Sequence, residues 1–118
     1  MAKRILIAED NPGHSEIILT YAKRQGYEVV VINDGVELLT ISVNERFDLI
    51  ITDLIMPKLD GVSATEIINM LGDTVPVIAL TALSPEDTHL IQDKFTKIFH
   101  KPCNYSELFE YVESLIGK

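Results

Sequence analysis

Two periods of apolar residues alternate along the chain. Residues 4–8 (RILIA), 28–32 (EVVVI), 49–52 (LIIT) and 75–80 (VPVIAL) are short runs rich in β-branched and aliphatic side chains. Each is too short for a helix and is bounded by charged or turn residues, so each predicts a strand. Residues 97–100 (KIFH) predict a fifth, because the Lys101-Pro102 pair must end any regular element there.

Between these runs the apolar residues return every three or four positions. The first helix is expected with Asn11 as N-cap, Pro12 at its first position, Gly26 as its stop, and Ile17, Ile18, Tyr21 and Ala22 as its buried stripe. Val36, Leu39 and Val43 predict a second helix, and Ala64, Ile67, Ile68 and Leu71 predict a third that ends before Gly72. Ser84-Pro85-Glu86-Asp87 supplies a cap, a first-turn proline and acids where the macrodipole favours them, opening a fourth with the stripe Leu90, Ile91 and Phe95. Asn104 with Glu107 resembles a capping box; the fifth helix carries Leu108, Tyr111, Val112 and Leu115 and stops at Gly117.

Strict alternation of strand and helix means parallel strands joined by right-handed crossovers, and strands apolar on both faces imply a sheet covered on both sides. The expected fold is a three-layer α/β sandwich. Its 118 residues suit one domain, expected to span 1–118 with no linker, repeat or separate output domain.

Charge narrows the function. Ten Lys and Arg against 18 Asp and Glu give a net charge of −8, which disfavours nucleic-acid and anionic-membrane partners. Apolar runs such as 29–32 and 77–80 are far below the roughly 20 residues that span a bilayer, and Glu9 and Asp10 interrupt the first run before it could form a signal-peptide core. A cytoplasmic location is expected. The single cysteine, Cys103, excludes an internal disulfide and a cysteine metal cluster.

Ligands of an open parallel sheet bind beyond the carboxyl ends of its strands. The residues following the strand runs are Glu9 and Asp10, Asp53, Thr81 and Lys101. Three carboxylates at one rim repel one another, and one would take up a proton unless a cation neutralises the group. All-oxygen ligation suits Mg²⁺ or Mn²⁺ rather than zinc, and Mg²⁺ prefers one or two carboxylates, waters and a phosphate oxygen. A carboxylate, a metal, an amine and a hydroxyl together serve phosphoryl transfer, with Asp53 as nucleophile.

AEDN at 8–11, TDLIMPKLDG at 52–61, TA at 81–82 and KP at 101–102, in this order and spacing, resemble the response-regulator receiver domain of two-component signalling. The resemblance covers essentially the whole chain. It implies a flavodoxin-like (βα)5 fold with strand order 2-1-3-4-5. It implies that Asp53 accepts a phosphoryl group from a histidine kinase or histidine phosphotransfer protein, with the domain catalysing its own phosphorylation and dephosphorylation as a switch rather than a metabolic enzyme. By the same resemblance, Asp10 and Asp53 would bind Mg²⁺ directly, Glu9 through water, and Ile55 through its backbone carbonyl. Lys101 would pair with a phosphoryl oxygen, Thr81 would swing its hydroxyl onto the phosphoryl group, Lys101-Pro102 would be cis, and Pro57 and Gly61 would shape the loop after Asp53. The output face, for a downstream protein the sequence does not name, would be helix four, strand five and helix five.

The chain departs from the family pattern in places. Ile98 stands where Tyr or Phe is usual, with Phe99 next to it, and Lys94-Phe95-Thr96 replaces a small Gly-Ala pair. Ile55 and Leu83, at the two positions that tune hydrolysis in the family, are apolar, so a long-lived acyl phosphate is expected. Two other classes compete: an aspartyl-nucleophile phosphatase, which commonly has a second acid where Ile55 stands, and a docking module that works without phosphorylation. His14, His89 and His100 share no motif and read as structural or surface residues, Cys103 as a bystander thiol and Met56 as loop packing.

Overall fold

A computed structural model describes residues 2–118. Among these residues the element order is β1 (Arg4–Ala8), α1 (Pro12–Arg24), β2 (Glu28–Ile32), α2 (Gly35–Asn44), β3 (Leu49–Thr52), α3 (Gly61–Met70), β4 (Val77–Thr81), α4 (Pro85–Thr88), a 3₁₀ stretch (His89–Lys94), β5 (Lys97–His100) and α5 (Tyr105–Ile116). The five strands form one sheet in the order β2-β1-β3-β4-β5, and every pairing is parallel. This is the doubly wound sandwich expected. No helix among the described residues is long and apolar enough to cross a membrane.

Alternation along each strand divides the core in two. Ile5, Ile7, Leu49, Ile51, Ile78 and Leu80 face α1 and α5, where Ile18, Ala22, Leu108, Phe109 and Val112 close over them. Leu6, Ala8, Ile50 and Ala79 face the other way, toward Leu38, Ala64, Ile68 and Phe95. Helix starts follow their caps: Asn11 Oδ1 accepts from the N–H groups of Gly13 and His14, and the carboxylates of Asp34 and Asp60 cap α2 and α3.

Four expectations need correction. First, strand four begins at Val77 and includes Thr81, rather than covering 75–80; Pro76 has no N–H for a ladder and serves only through its carbonyl, which accepts from Ile50. Second, Ile17 of the α1 stripe is exposed, as is Leu71, which caps α3 instead of lying within it.

Third, α2 buries Gly35, Leu38 and Ser42 while Val36 and Val43 are exposed. Its rotation is set at its first residue, where Gly35 lies so close to the chain at residue 59 that an added Cβ would fall 1.7 Å from the Leu59 carbonyl oxygen. Leu38 and Ser42 then follow three and seven positions on, along the same face. Fourth, the fourth helix is one α turn followed by a 3₁₀ stretch. With three residues per turn, Thr88 and Ile91 align against the core, and Leu90 turns outward at 85% exposure. Phe95 is still buried, but from an extended backbone after the stretch.

Candidate functional site

Register brings the strand ends together. Ala8 pairs with Thr52, and the Asp53 N–H donates to the Ala8 carbonyl at 2.9 Å, so Glu9 and Asp53 emerge side by side. Across the sheet, Thr81 pairs with His100, and the Lys101 N–H donates to the Thr81 carbonyl at 2.7 Å. Lys101 thereby leaves β5 pointing back toward β1 and β3. Its Nζ donates to Glu9 Oε1 at 2.5 Å and to Asp53 Oδ2 at 3.0 Å. The peptide bond between Lys101 and Pro102 is cis, as expected.

Asp53 is held on its other oxygen as well: the backbone N–H groups of Leu54 and Ile55 donate to Oδ1 at 2.6 and 3.2 Å. The loop that presents them is tight. Gly61 N–H donates to the Leu54 carbonyl at 2.9 Å, and a Cβ on Gly61 would stand 2.2 Å from the Asp53 carbonyl oxygen. A second buttress comes from the β2–α2 corner, where Gly35 N–H donates to the Pro57 carbonyl at 3.3 Å and buried Asp34 pairs with Lys58 at 3.5 Å. Lys58 has a positive φ of 69°, an uncommon conformation for a residue with a Cβ. The backbone N–H of Glu37 holds the Asp34 carboxyl below its ordinary pKa range.

Carboxylate oxygens of Glu9, Asp10 and Asp53 lie within 4.8 Å of one another, with Glu9 and Asp53 buried and Asp10 exposed. Lys101 answers part of their charge, so one neutralising cation is supplied by the chain itself. Burial alone would lower the pKa of this ammonium, but the hydrogen bonds to Glu9 and Asp53 outweigh it and hold the group above the ordinary lysine value. One ammonium among three carboxylates still leaves a net negative pocket of hard oxygen donors, and that donor set suits a small divalent cation such as Mg²⁺.

The remaining expected residues fall around this centre. Thr81 is fully buried and its Oγ1 accepts from the Leu83 N–H at 3.1 Å, inside its own loop. Ile98 and Phe99 take opposite faces of β5. Phe99 meets Tyr111 of α5 edge-on with ring centroids 5.8 Å apart, so Ile98 is the residue on the side of α3 and α4. Burial raises the pKa of the Cys103 thiol, which disfavours its thiolate form. Met56 is buried in the second core.

Two of the histidines read as structural or surface residues border this centre. His14 Nδ1 lies 3.6 Å from Glu9 Oε1, and His100 Nδ1 lies 2.8 Å from the Leu83 carbonyl oxygen. The available signals were position alone: His14 falls one turn into α1, directly after the acids, and His100 immediately precedes Lys101. Asn11, expected as the cap of α1, also donates its backbone N–H to Glu9 Oε2 at 3.2 Å.

Comparison with known proteins bears on the whole chain. The family model described as the response regulator receiver domain matches residues 5–113. The sensor histidine kinase GacS of Pseudomonas protegens is 31% identical over 98% of this chain, which spans 13% of that protein. The receiver domain of sensor histidine kinase PA1611 from Pseudomonas aeruginosa, solved with a magnesium ion in its active site cleft, superposes with a TM-score of 0.91 at 32% identity over 100% of both chains. Response regulator TrrA of Thermotoga maritima, solved with Mg²⁺ and BeF, gives a TM-score of 0.87 at 30% identity over 96% of this chain and 98% of that one. The sensor-kinase and transcription-factor relatives are much longer, and this chain spans between 10% and 19% of their lengths.

Proposed function

The chain belongs to the response regulator receiver domain family, whose members are signalling switches, and from that premise we propose that it is a Mg²⁺-dependent phosphoacceptor. In this reading Asp53 takes a phosphoryl group from a histidine kinase or histidine phosphotransfer protein, and the added charge changes how the domain binds a downstream protein. The observation that carries it is the setting of Asp53: buried, oriented by two backbone N–H groups, and paired with Lys101 inside a net negative oxygen cluster.

The transfer itself asks little of the protein beyond position and charge. An Asp53 carboxylate oxygen forms a bond to phosphorus while the P–N bond of the donor phosphohistidine breaks, its electron pair stays on the imidazole, and that ring gains a proton. Two N–H groups on Oδ1 fix the carboxylate plane before the donor arrives. Lys101, already 3.0 Å from Asp53, would pair with a phosphoryl oxygen. Asp10 and Asp53, with Glu9 through water and the Ile55 carbonyl, would hold Mg²⁺, which supplies positive charge to the phosphoryl oxygens. Thr81 would release Leu83 and turn its hydroxyl to the phosphoryl group, so that the new charge favours one loop arrangement over another. Ile55 and Leu83 offer no polar group to orient an attacking water, which favours a long-lived acyl phosphate.

Incubation with acetyl phosphate and Mg²⁺ followed by intact mass spectrometry tests the proposal. Expected is a stable gain of one phosphoryl group that disappears in Asp53→Asn and in EDTA. Turnover without accumulation would point instead to an aspartyl phosphatase, and no reaction at all to a docking module.

A further inference from the structure

His100 ends β5 opposite Thr81 in the sheet register. Its ring reaches across to the loop after β4, where Nδ1 stands 2.8 Å from the Leu83 carbonyl oxygen. A carbonyl only accepts, so Nδ1 carries the proton and donates. The N–H of the same Leu83 donates to Thr81 Oγ1 at 3.1 Å. Leu83 is therefore gripped at both polar groups, one by the buried hydroxyl and one by the histidine.

We propose that His100 is a latch on the β4–α4 loop, a positioning residue that holds Leu83 and thereby keeps the Thr81 hydroxyl away from Asp53 until a phosphoryl group arrives. This rests on the phosphoacceptor reading above and adds its regulation. A turn of the Thr81 hydroxyl toward a phosphoryl group would draw Oγ1 from the Leu83 N–H, unless the loop follows it. While His100 holds the carbonyl, that loop movement breaks the second hydrogen bond. Ile98, two residues earlier on the same face of β5, has no polar side-chain group with which to sense the loop. Beside the ring lies a cleft of ≈ 290 Å³ whose walls include Thr88, Gln92, Ile98 and His100, room into which the imidazole can turn. Weakening the latch should shift the population toward the loaded arrangement before any phosphoryl group binds.

The test titrates wild type, His100→Ala and His100→Asn with Mg²⁺ and beryllofluoride, following the Thr81 and Leu83 amide resonances, with thermal unfolding to confirm that each variant is folded. His100→Ala is expected to bind about three- to tenfold more tightly, the scale of one neutral hydrogen bond removed from the unloaded state. Asn attaches its Nδ2 to Cγ just as His attaches Nδ1, so His100→Asn can donate to the same carbonyl and should stay within about twofold of wild type. Equal or weaker binding by His100→Ala overturns the latch, as does His100→Asn behaving like His100→Ala. In wild type alone, loading should release the ring from its fixed Nδ1–H tautomer in ¹⁵N spectra, and an unchanged ring also overturns it. Wild type that binds but variants that do not differ strike the latch only; wild type that binds no Mg²⁺ and beryllofluoride strikes the phosphoacceptor reading and the latch together.

Discussion

Two cations sit at opposite ends of this sheet, each among three acids. At the amino end of β1, Arg4 reaches Glu45 at 2.9 Å and Glu28 at 3.8 Å, its backbone N–H donates to Asp48 at 2.7 Å, and its guanidinium lies 4.6 Å from the centre of the Phe47 ring. At the carboxyl end, Lys101 sits among Glu9, Asp53 and Asp10. The ratio of charges is the same; the access of water is not. The Arg4 side chain is 29% exposed and its acidic partners more so, whereas Lys101 is 11% exposed and Glu9 only 2%. Water screens the first cluster into a bracket between loops. In the second, leftover negative charge is poorly screened, and the pocket favours further positive charge. Burial rather than composition separates the two clusters.

Substitutions at the two ends should diverge, most of all in chemistry. Asp53→Asn should abolish the phosphoryl gain seen by intact mass, while Asp48→Asn, at the wet end, should leave it unchanged. Next in size, Lys101→Met leaves two buried carboxylates without their ammonium and should cost about 3 kcal/mol in urea unfolding without divalent cations, part of it regained on adding Mg²⁺. Arg4→Met should stay within the scatter of surface substitutions. The pH dependence has a definite sign. Because the folded state raises the Lys101 pKa, its contribution is fully present below the ordinary lysine value and is lost as pH rises through the raised one. The gap between wild type and Lys101→Met should therefore hold through neutral pH and close only in alkali.

Smaller effects sharpen the contrast further. Gly61→Ala pushes a methyl group against the Asp53 carbonyl and should cost about 2 kcal/mol while slowing phosphorylation. Gly72, with nothing near its Cβ position, would show only the local strain of its positive φ of 84°. Smallest of all, Ile55→Gln places a polar group at the exposed rim of the site and should shorten the acyl phosphate lifetime on the order of tenfold, about 1.4 kcal/mol of barrier. A wild-type half-life of only seconds in Mg²⁺ buffer would break the premise of that experiment.

Much of this was legible because a parallel sheet converts position in sequence into position in space. Glu9, Asp10, Asp53 and Lys101 each follow a strand, so all had to share one rim. Caps such as Asn11, Ser84 and Asn104 announced their helices through local hydrogen bonds. What stayed hidden depends on contacts between distant segments. Nothing near residue 101 says that its amine threads between acids 92 and 48 positions earlier. Nothing in the α2 periodicity says that Gly35 must face residue 59, and Leu90 looked like core only while an α-helix was assumed where a 3₁₀ stretch lies. Strand order came from resemblance, since periodicity does not rank neighbours.

The closed gap between Gly35 and Leu59 has a bearing on transplantation. A graft of residues 53–61 into another scaffold would carry the acid and its amide donors but not the wall they are cast against, because that wall belongs to the corner at 34–35. The portable unit of this chemistry is discontinuous, and a successful transfer would have to move both pieces at once.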